Sequence, residues 1–199
     1  VHLLGVSALA LAIASPALAQ SQSNDNSISE IVVTATKREQ TLQDVPISVA
    51  VTGQQTIERA QVRDLIDLQS VVPSLKVSQF NATGQTNFVI RGFGNGNGND
   101  GIESSVGVFI DGVYRSRSAA ALDDLPEVER IEVLRGPQST LFGKNVSAGA
   151  ISIVTKKPQY EFGGKIEGTY GNYNAQQVKG TITGPLSDTV AVRVSGSYN

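Results

Sequence analysis

The chain has no cysteine, no tryptophan and no methionine, and its one histidine is His2. The lack of cysteine excludes disulfides and thiolate metal sites. The lack of histidine elsewhere excludes imidazole metal sites and histidine-based catalytic dyads from the rest of the chain. A net charge of −2 argues against nucleic acid as a partner. We find no nucleophile–base arrangement, so the sequence predicts no enzyme, no cofactor and no metal.

Long apolar runs are also missing. The longest, from Leu3 to Ile13, has about 11 residues, whereas a membrane-spanning helix needs about 20. Pro16 breaks the chain after this run, and Ala17-Leu18-Ala19 has the small-x-small pattern of a cleavage site. We therefore expect residues 1–19 to be a signal peptide that is cleaved after Ala19. The alternative is a buried helix of a soluble protein.

The next residues are polar and then briefly β-prone. Residues 20–29 contain mostly Gln, Ser, Asn and Asp, which cannot form a core, so we expect disorder there. Glu30 to Ala35, EIVVTA, comes next, and Lys37 and Arg38 close it. No partner strand is evident nearby. The run is either a docking peptide on a flexible arm or a strand of the next domain.

Residues 45–155 have a mixed pattern that predicts a small α+β domain. Apolar positions at helical spacing predict one or two short helices over Thr56–Gln69, which Pro73 terminates. Gly92–Gly101 is a loop rich in glycine and asparagine. The β-prone runs predict strands over Ile47–Val51, Leu75–Gln79, Asn87–Arg91, Val106–Asp111, Val128–Leu134 and Ala150–Thr155.

After Pro158 the residues alternate between apolar and polar. One set of positions is apolar or glycine, and it includes Ile166, Tyr170, Val178, Ile182, Val192, Val194 and Tyr198. This alternation predicts strands with one apolar face, as in an outer-membrane β-barrel or in the antiparallel sheet of a soluble protein. The preceding secretion signal favours the barrel. Three strands cannot close one, so we expect it to be cut short at Asn199.

Several blocks of the sequence, in the same order, resemble the TonB-dependent outer-membrane receptor family. Ile131 to Pro158, IEVLRGPQSTLFGKNVSAGAISIVTKKP, is similar to the family's plug signature. The other blocks are EIVVTA at residues 30–35, DVPI at 44–47, IRGF at 90–93 and VFIDGVYRSR at 108–117, which resemble the TonB box, the plug's opening strand and two plug segments. Lys144 and Ser152 replace a frequent Arg and a frequent Asn, and we interpret both as ordinary variants.

The resemblance implies an α+β plug domain followed by the first antiparallel strands of a transmembrane β-barrel. It divides the chain into a signal peptide (1–19), a flexible periplasmic arm (20–41) with the TonB box at 30–35, a plug (42–157) and the first strands of a truncated barrel (158–199). The implied location is the bacterial cell outer membrane, with the plug and the arm facing the periplasm.

The resemblance also implies a function and its partners. These are active transport of a scarce nutrient, TonB with its inner-membrane energising complex, and outer-membrane lipid. An iron–siderophore complex leads as substrate, with cobalamin, an oligosaccharide or another large nutrient as alternatives. A signalling transducer or a passive porin or adhesin barrel is a rival class. The residues implied to bind TonB are Glu30, Ile31, Val32, Val33, Thr34 and Ala35.

Two arginines follow apolar strands and would be costly to bury alone. The resemblance implies that Arg91 and Arg135 face acidic residues on the inner barrel wall. The alternative is that both pair within the plug, with Glu127, Glu129 or Glu132.

A further group of residues is predicted to form the floor of a substrate vestibule. Phe93 and Tyr114 would stack on a flat ligand, and Arg115 and Arg117 would hold an anionic one such as a ferric chelate. The alternative for the two arginines is pairing with the barrel wall.

The loop at residues 92–101 has two further interpretations. Its glycines lack the GxGxxG spacing of a dinucleotide site, so phosphate binding is disfavoured. Side-chain oxygens from this loop and from Glu103 have the chemistry of a calcium site, but an exposed flexible loop has the same composition. These residues are Asn95, Asn97, Asn99, Asp100 and Glu103.

Overall fold

The computed structural model of the chain describes residues 31–79, 86–94, 103–116 and 127–198. The predicted signal peptide, residues 20–30, the loop from Asn95 to Gly101 and Arg117 lie outside these ranges. No helix in the described ranges is long and apolar enough to span a membrane.

The centre of the domain is a five-stranded sheet. Its strands are β3 (Val49–Gly53), β6 (Val106–Ile110), β7 (Val113–Arg115), β8 (Val128–Arg135) and β9 (Gly149–Thr155). Across the sheet they lie in the order β3-β8-β9-β6-β7. β6 and β9 are parallel, and the other neighbours are antiparallel. The predicted strands are confirmed to within a few residues, whereas β7 was not predicted.

Short helices and a hairpin complete the domain. These are α1 (Gln54–Arg59), a 3₁₀ turn (Asp67–Ser70), the hairpin of β4 (Leu75–Gln79) with β5 (Thr86–Ile90), and α2 (Ser139–Phe142). The helical stretch predicted over residues 56–69 is interrupted for a local reason. Gln61 has a φ of 51°, and the carboxylate of Asp64 accepts the backbone N–H groups of Ile66 and Asp67. Asp64 therefore caps a second helical turn instead of continuing the first.

The sheet has a hydrophobic core on each face. Along β8, Ile131 and Val133 belong to one core and Leu134 to the other, as period-2 alternation requires. The β4–β5 hairpin and the segment around Leu65 and Leu68 cover the first core. Residues 33–47 cover the second, together with Phe109, Phe142 and Val146.

The start of the described chain is part of the domain. β1 (Val32–Val33) pairs antiparallel with β2 (Gln40–Thr41), and Val33 and Ala35 are completely buried in the second core. Residues 31–41 were predicted to belong to a flexible arm without a partner strand, whereas in the structure they pack on the sheet. The cause is local, because the turn after Thr34 brings Gln40 back beside Val33.

The remaining strands form a separate three-stranded antiparallel sheet. They are β10 (Gly163–Tyr170), β11 (Gln176–Ser187) and β12 (Val190–Tyr198). One face is apolar and exposed, with Ile166 at 84% and Val194 at 60% of full accessibility. The predicted antiparallel strands are thus confirmed, and they form an open sheet.

Candidate functional site

Residues 31–35 belong to the run that is predicted to bind a partner, and we call them the N-terminal segment. Its polar anchor is Glu132 on β8, whose side chain is completely buried. The Oε1 atom of Glu132 accepts the backbone N–H of Thr34 at 2.9 Å and the Thr34 hydroxyl at 3.1 Å. The same oxygen accepts Nε of Arg130 at 2.8 Å, and Arg130 also donates to Glu129. The N-terminal segment is therefore held on the sheet by polar bonds as well as by the buried Val33 and Ala35.

One edge of the N-terminal segment has no neighbouring strand in the described sheets. β1 pairs only with β2, and the carbonyl of Ile31 accepts the N–H of Leu42 at 2.8 Å. In an antiparallel pair, successive residues direct their backbone groups to opposite sides. Ile31 and Val33 therefore face β2, and Val32 faces the open edge. Thr34 lies beyond β1, and its carbonyl accepts the N–H of Lys37 at 2.8 Å. Ile31 and Val32 are nearly half exposed, at 46% and 41%.

Aromatic contacts connect the next turn with α2 and β6. The ammonium of Lys37 lies 5.4 Å from the ring centre of Phe142. The Phe142 ring packs edge-on against the Phe109 ring, with 4.9 Å between their centres. The Tyr114 ring packs on Phe109 with 5.4 Å between ring centres. The Tyr114 hydroxyl also accepts the side-chain amide of Asn145 at 3.1 Å. Tyr114, predicted to line a vestibule, is thus on the same face of the sheet as the N-terminal segment.

The two arginines predicted to contact the barrel wall come together. Nη2 of Arg91 and Nη1 of Arg135 both donate to the hydroxyl of Ser48, at 2.9 and 3.2 Å. Arg135 also donates to the Ser74 hydroxyl, and the N–H of Arg91 bonds to the Ser74 carbonyl. Arg91 has a φ of 52°, so the chain turns sharply as it leaves β5. Two positive charges therefore share one neutral acceptor.

The carboxylates considered as partners within the plug bind other arginines. Glu127 pairs with Arg193 on β12, whereas Glu129 and Glu132 pair with Arg130. Within the described ranges, no ion pair is found for Arg91 or Arg135.

The other predicted vestibule residues are dispersed. Phe93 is 72% exposed just after β5, where its backbone pairs with Ile90, a residue of the first core. Arg115 is exposed at the end of β7 and pairs with Val108. No ring contact joins Phe93 to Tyr114 among the described aromatic residues. The structure therefore does not bring the two rings together, and Arg117 lies outside the described ranges.

The predicted oxygen cluster is only partly described. Asn95, Asn97, Asn99 and Asp100 lie outside the described ranges, whereas Glu103 forms an ion pair with Lys144 at 3.0 Å. Hydrogen bonds from Lys144 and Asn145 lower the pKa of Glu103. In the part of the chain that the structure describes, no group of three or more His, Cys, Asp or Glu residues could hold a metal ion.

The polar face of β10–β12 is turned toward the α+β domain. A cavity of about 820 Å³ lies between them, lined by α1 on one side and by polar residues of the strands on the other. Lys165 pairs across it with Glu58 at 3.4 Å. Hydrogen bonds from Gln54 and Lys165 lower the pKa of Glu58. The strand residues at the cavity include Lys165, Glu167, Thr169, Gln177 and Lys179.

An α+β domain facing the polar side of strands whose other face is apolar is the arrangement of a plug at a barrel wall. The model of the TonB-dependent receptor plug domain matches residues 41–150, more than half of the 199 residues. The chain belongs to this family. It comprises a plug domain followed by the first antiparallel strands of a barrel that they do not close.

Individual relatives agree with this assignment. The iron-regulated outer membrane virulence protein of Vibrio cholerae is 30% identical over 184 residues, which cover 83% of this chain and 27% of the relative. The vitamin B12 transporter BtuB of Vibrio vulnificus is 30% identical over 200 residues, covering 96% of this chain and 32% of the relative.

A solved structure is similar as well. The ferric yersiniabactin uptake receptor of Yersinia pestis superposes with a TM-score of 0.69 at 27% identity, over 76% of this chain and 24% of that receptor. The chain therefore spans about a quarter to a third of the length of these relatives.

The role of Glu132 in holding Thr34 was not predicted from the sequence. A signal was present, because Glu132 lies two residues before the buried Leu134, on the same face of β8. A charged residue at a position that the alternation predicts to be buried needs a polar partner.

Proposed function

We propose that this chain is the plug and the first barrel strands of a receptor that imports a scarce nutrient across the bacterial outer membrane by TonB-dependent active transport. The observation that carries the proposal is the N-terminal segment. It lies on the plug as a short strand with an open edge, and Ile31 and Val32 are accessible. A strand with a free edge can pair with a strand of another protein through its backbone groups.

The energetic reason for a partner lies in the membrane. The outer membrane has no energy source of its own, so moving a plug needs work supplied from the inner membrane. In this proposal TonB, with its inner-membrane energising complex, adds a strand to residues 30–35 from the periplasm and pulls. Movement of the segment requires Val33 and Ala35 to leave the second core, whereas the first core lies on the opposite face of the sheet.

An iron–siderophore complex is the proposed substrate. Support comes from the names of relatives, since one is iron-regulated and another takes up ferric yersiniabactin. The vitamin B12 transporter is 30% identical to this chain over 200 residues, so cobalamin is the alternative with a specific observation behind it. An oligosaccharide or another large nutrient, taken up by the same mechanism, is a further alternative substrate.

The substrate vestibule remains part of the proposal, and Phe93 is its main proposed ligand contact. This ring is 72% exposed, so it is free to stack on a ligand. Tyr114 already packs on Phe109 and bonds to Asn145, which leaves less of its surface for a ligand. Arg115 and Arg117 would supply positive charge for an anionic chelate. The shared contact of Arg91 and Arg135 with Ser48 supports their proposed role against acidic groups of the barrel wall.

Uptake and surface binding of a labelled ferric siderophore test the proposal in cells that express the receptor from its full gene. We expect uptake to disappear when TonB is deleted, because the plug is no longer moved, while surface binding persists. A passive barrel would continue to take up the ligand without TonB, and that result would refute the proposal. Labelled cobalamin in the same cells tests the alternative substrate.

A further inference from the structure

We propose that Glu132 is a positioning residue that keeps the N-terminal segment on the plug, and that it sets how often this segment is released. The inference rests on the proposed function, since release matters only if the segment binds an energising partner. It concerns a step before that binding, namely the equilibrium between the packed and the free segment.

The bonds to Glu132 are concentrated on one atom. Its Oε1 accepts two donors from Thr34 and one from Arg130, at distances of 2.8 to 3.1 Å. The side chain is completely buried, and Oε2 has no hydrogen-bond partner within the described residues. Hydrogen bonds to a carboxylate in a buried site are stronger than neutral ones. Thr34 is therefore the point at which this segment is most firmly held by polar contacts.

Glu132 also competes with strand addition. Thr34 follows β1 directly, and in the packed state its N–H is donated to Glu132 at 2.9 Å. A strand that paired along the whole segment would need that N–H group as a donor. The N–H is available to a partner only after the bond to Glu132 breaks.

The alternative role for Glu132 is that it serves Arg130 alone. Arg130 also donates to Glu129, which is 43% exposed and forms no hydrogen bond with the N-terminal segment among the described residues. Glu129 and Glu132 thus share a strand, a charge and an arginine partner, but only Glu132 bonds to Thr34. Glu129→Gln is therefore a matched control for Glu132→Gln.

A cysteine at position 33 reports release directly. The chain contains no cysteine, and the Val33 side chain is completely buried. In a Val33→Cys background, a maleimide therefore reacts at this position only when the segment has left the core. The receptor is expressed from its full gene in cells lacking TonB, and the same receptor without the new cysteine gives the background. Because TonB is absent, the result does not depend on transport.

We expect Glu132→Gln to raise the labelling rate about tenfold, since a neutral amide replaces the charged acceptor of both Thr34 donors. Glu129→Gln should leave the rate unchanged. Equal rates in the two variants, or slower labelling in Glu132→Gln, would overturn the proposal. If deletion of TonB leaves uptake unchanged while Glu132→Gln still labels faster, the transport function is refuted and this inference stands.

A second variant keeps the test decisive if Glu132→Gln does not reach the outer membrane. Thr34→Val preserves the shape and the N–H but removes the hydroxyl that donates at 3.1 Å. In the same Val33→Cys background we expect it to label several-fold faster than the receptor with Thr34, in line with one lost charge-assisted hydrogen bond. An unchanged rate would overturn the proposal.

Discussion

Arg91 and Arg135 donate to the same hydroxyl group, that of Ser48, although one follows β5 and the other ends β8. Like charges held this close repel each other, and no ion pair is found for either within the described ranges. An acidic group of the barrel wall, as proposed above, would compensate these two charges. This is the arrangement expected if the pair faces the barrel wall.

The first prediction rests on that compensation. Arg135→Gln should loosen the plug in its barrel and speed its cleavage by an added protease, because a charge paired with the wall is lost. Arg59→Gln, at the end of α1, is the control and should have no effect. If the two arginines have no acidic partner and only repel each other, removing one charge would stabilise the plug and slow cleavage. The direction of the change therefore distinguishes pairing with the barrel wall from repulsion alone.

The second prediction concerns ligand contact. Phe93→Ala should weaken surface binding of the ligand about twofold to tenfold in cells lacking TonB, since stacking of an exposed ring on a ligand contributes about 0.5–1.5 kcal/mol. Tyr114→Ala and Arg117→Ala are measured in parallel. Tyr114→Phe keeps the packing on Phe109 and serves as its control. Wild-type affinity in all three alanine variants would move the binding site to other parts of the receptor.

The third prediction concerns the plug core. Gly149 begins β9 with a φ of 154°, and a Cβ there would lie 2.4 Å from the carbonyl oxygen of Leu134 and 2.7 Å from Ile90. Gly149→Ala should therefore disrupt the pairing of β8 with β9 and reduce the amount of receptor in the outer membrane. Gly53→Ala is the matched control, because nothing lies within 4 Å of its added Cβ. Equal receptor levels would show that the sheet adapts at position 149.

Much of the fold was predictable because its signals are local. The β-prone runs of the plug and the alternation after Pro158 located the strands to within a few residues. β7 was missed because it has three exposed residues, Val113–Arg115, and its stability comes from pairing with β6. The sequence predicted one or two short helices over Thr56–Gln69, and the choice between them depends on the Asp64 cap, which composition does not reveal.

The candidate site was less predictable because its contacts join distant parts of the chain. Thr34 and Glu132 are 98 positions apart, and Arg135 is 87 positions from Ser48. From the sequence, residues 30–35 remained either a docking peptide or a strand of the next domain. In the structure residues 31–35 pack against the domain and β1 pairs with β2, so this part of the chain is a strand of the plug with one open edge.

In the proposed mechanism, residues 31–35 transmit work from TonB to the plug through backbone pairing at the open edge, which Val32 faces. Uptake and surface binding of the ligand are therefore compared in Val32→Pro and Val32→Ala. Proline lacks the N–H group that an added strand would need, whereas alanine keeps the N–H and only shortens the side chain. We predict that Val32→Pro abolishes uptake and leaves surface binding intact, while Val32→Ala still transports. Unchanged uptake in Val32→Pro, at normal receptor levels, would show that transport does not need backbone pairing at this segment.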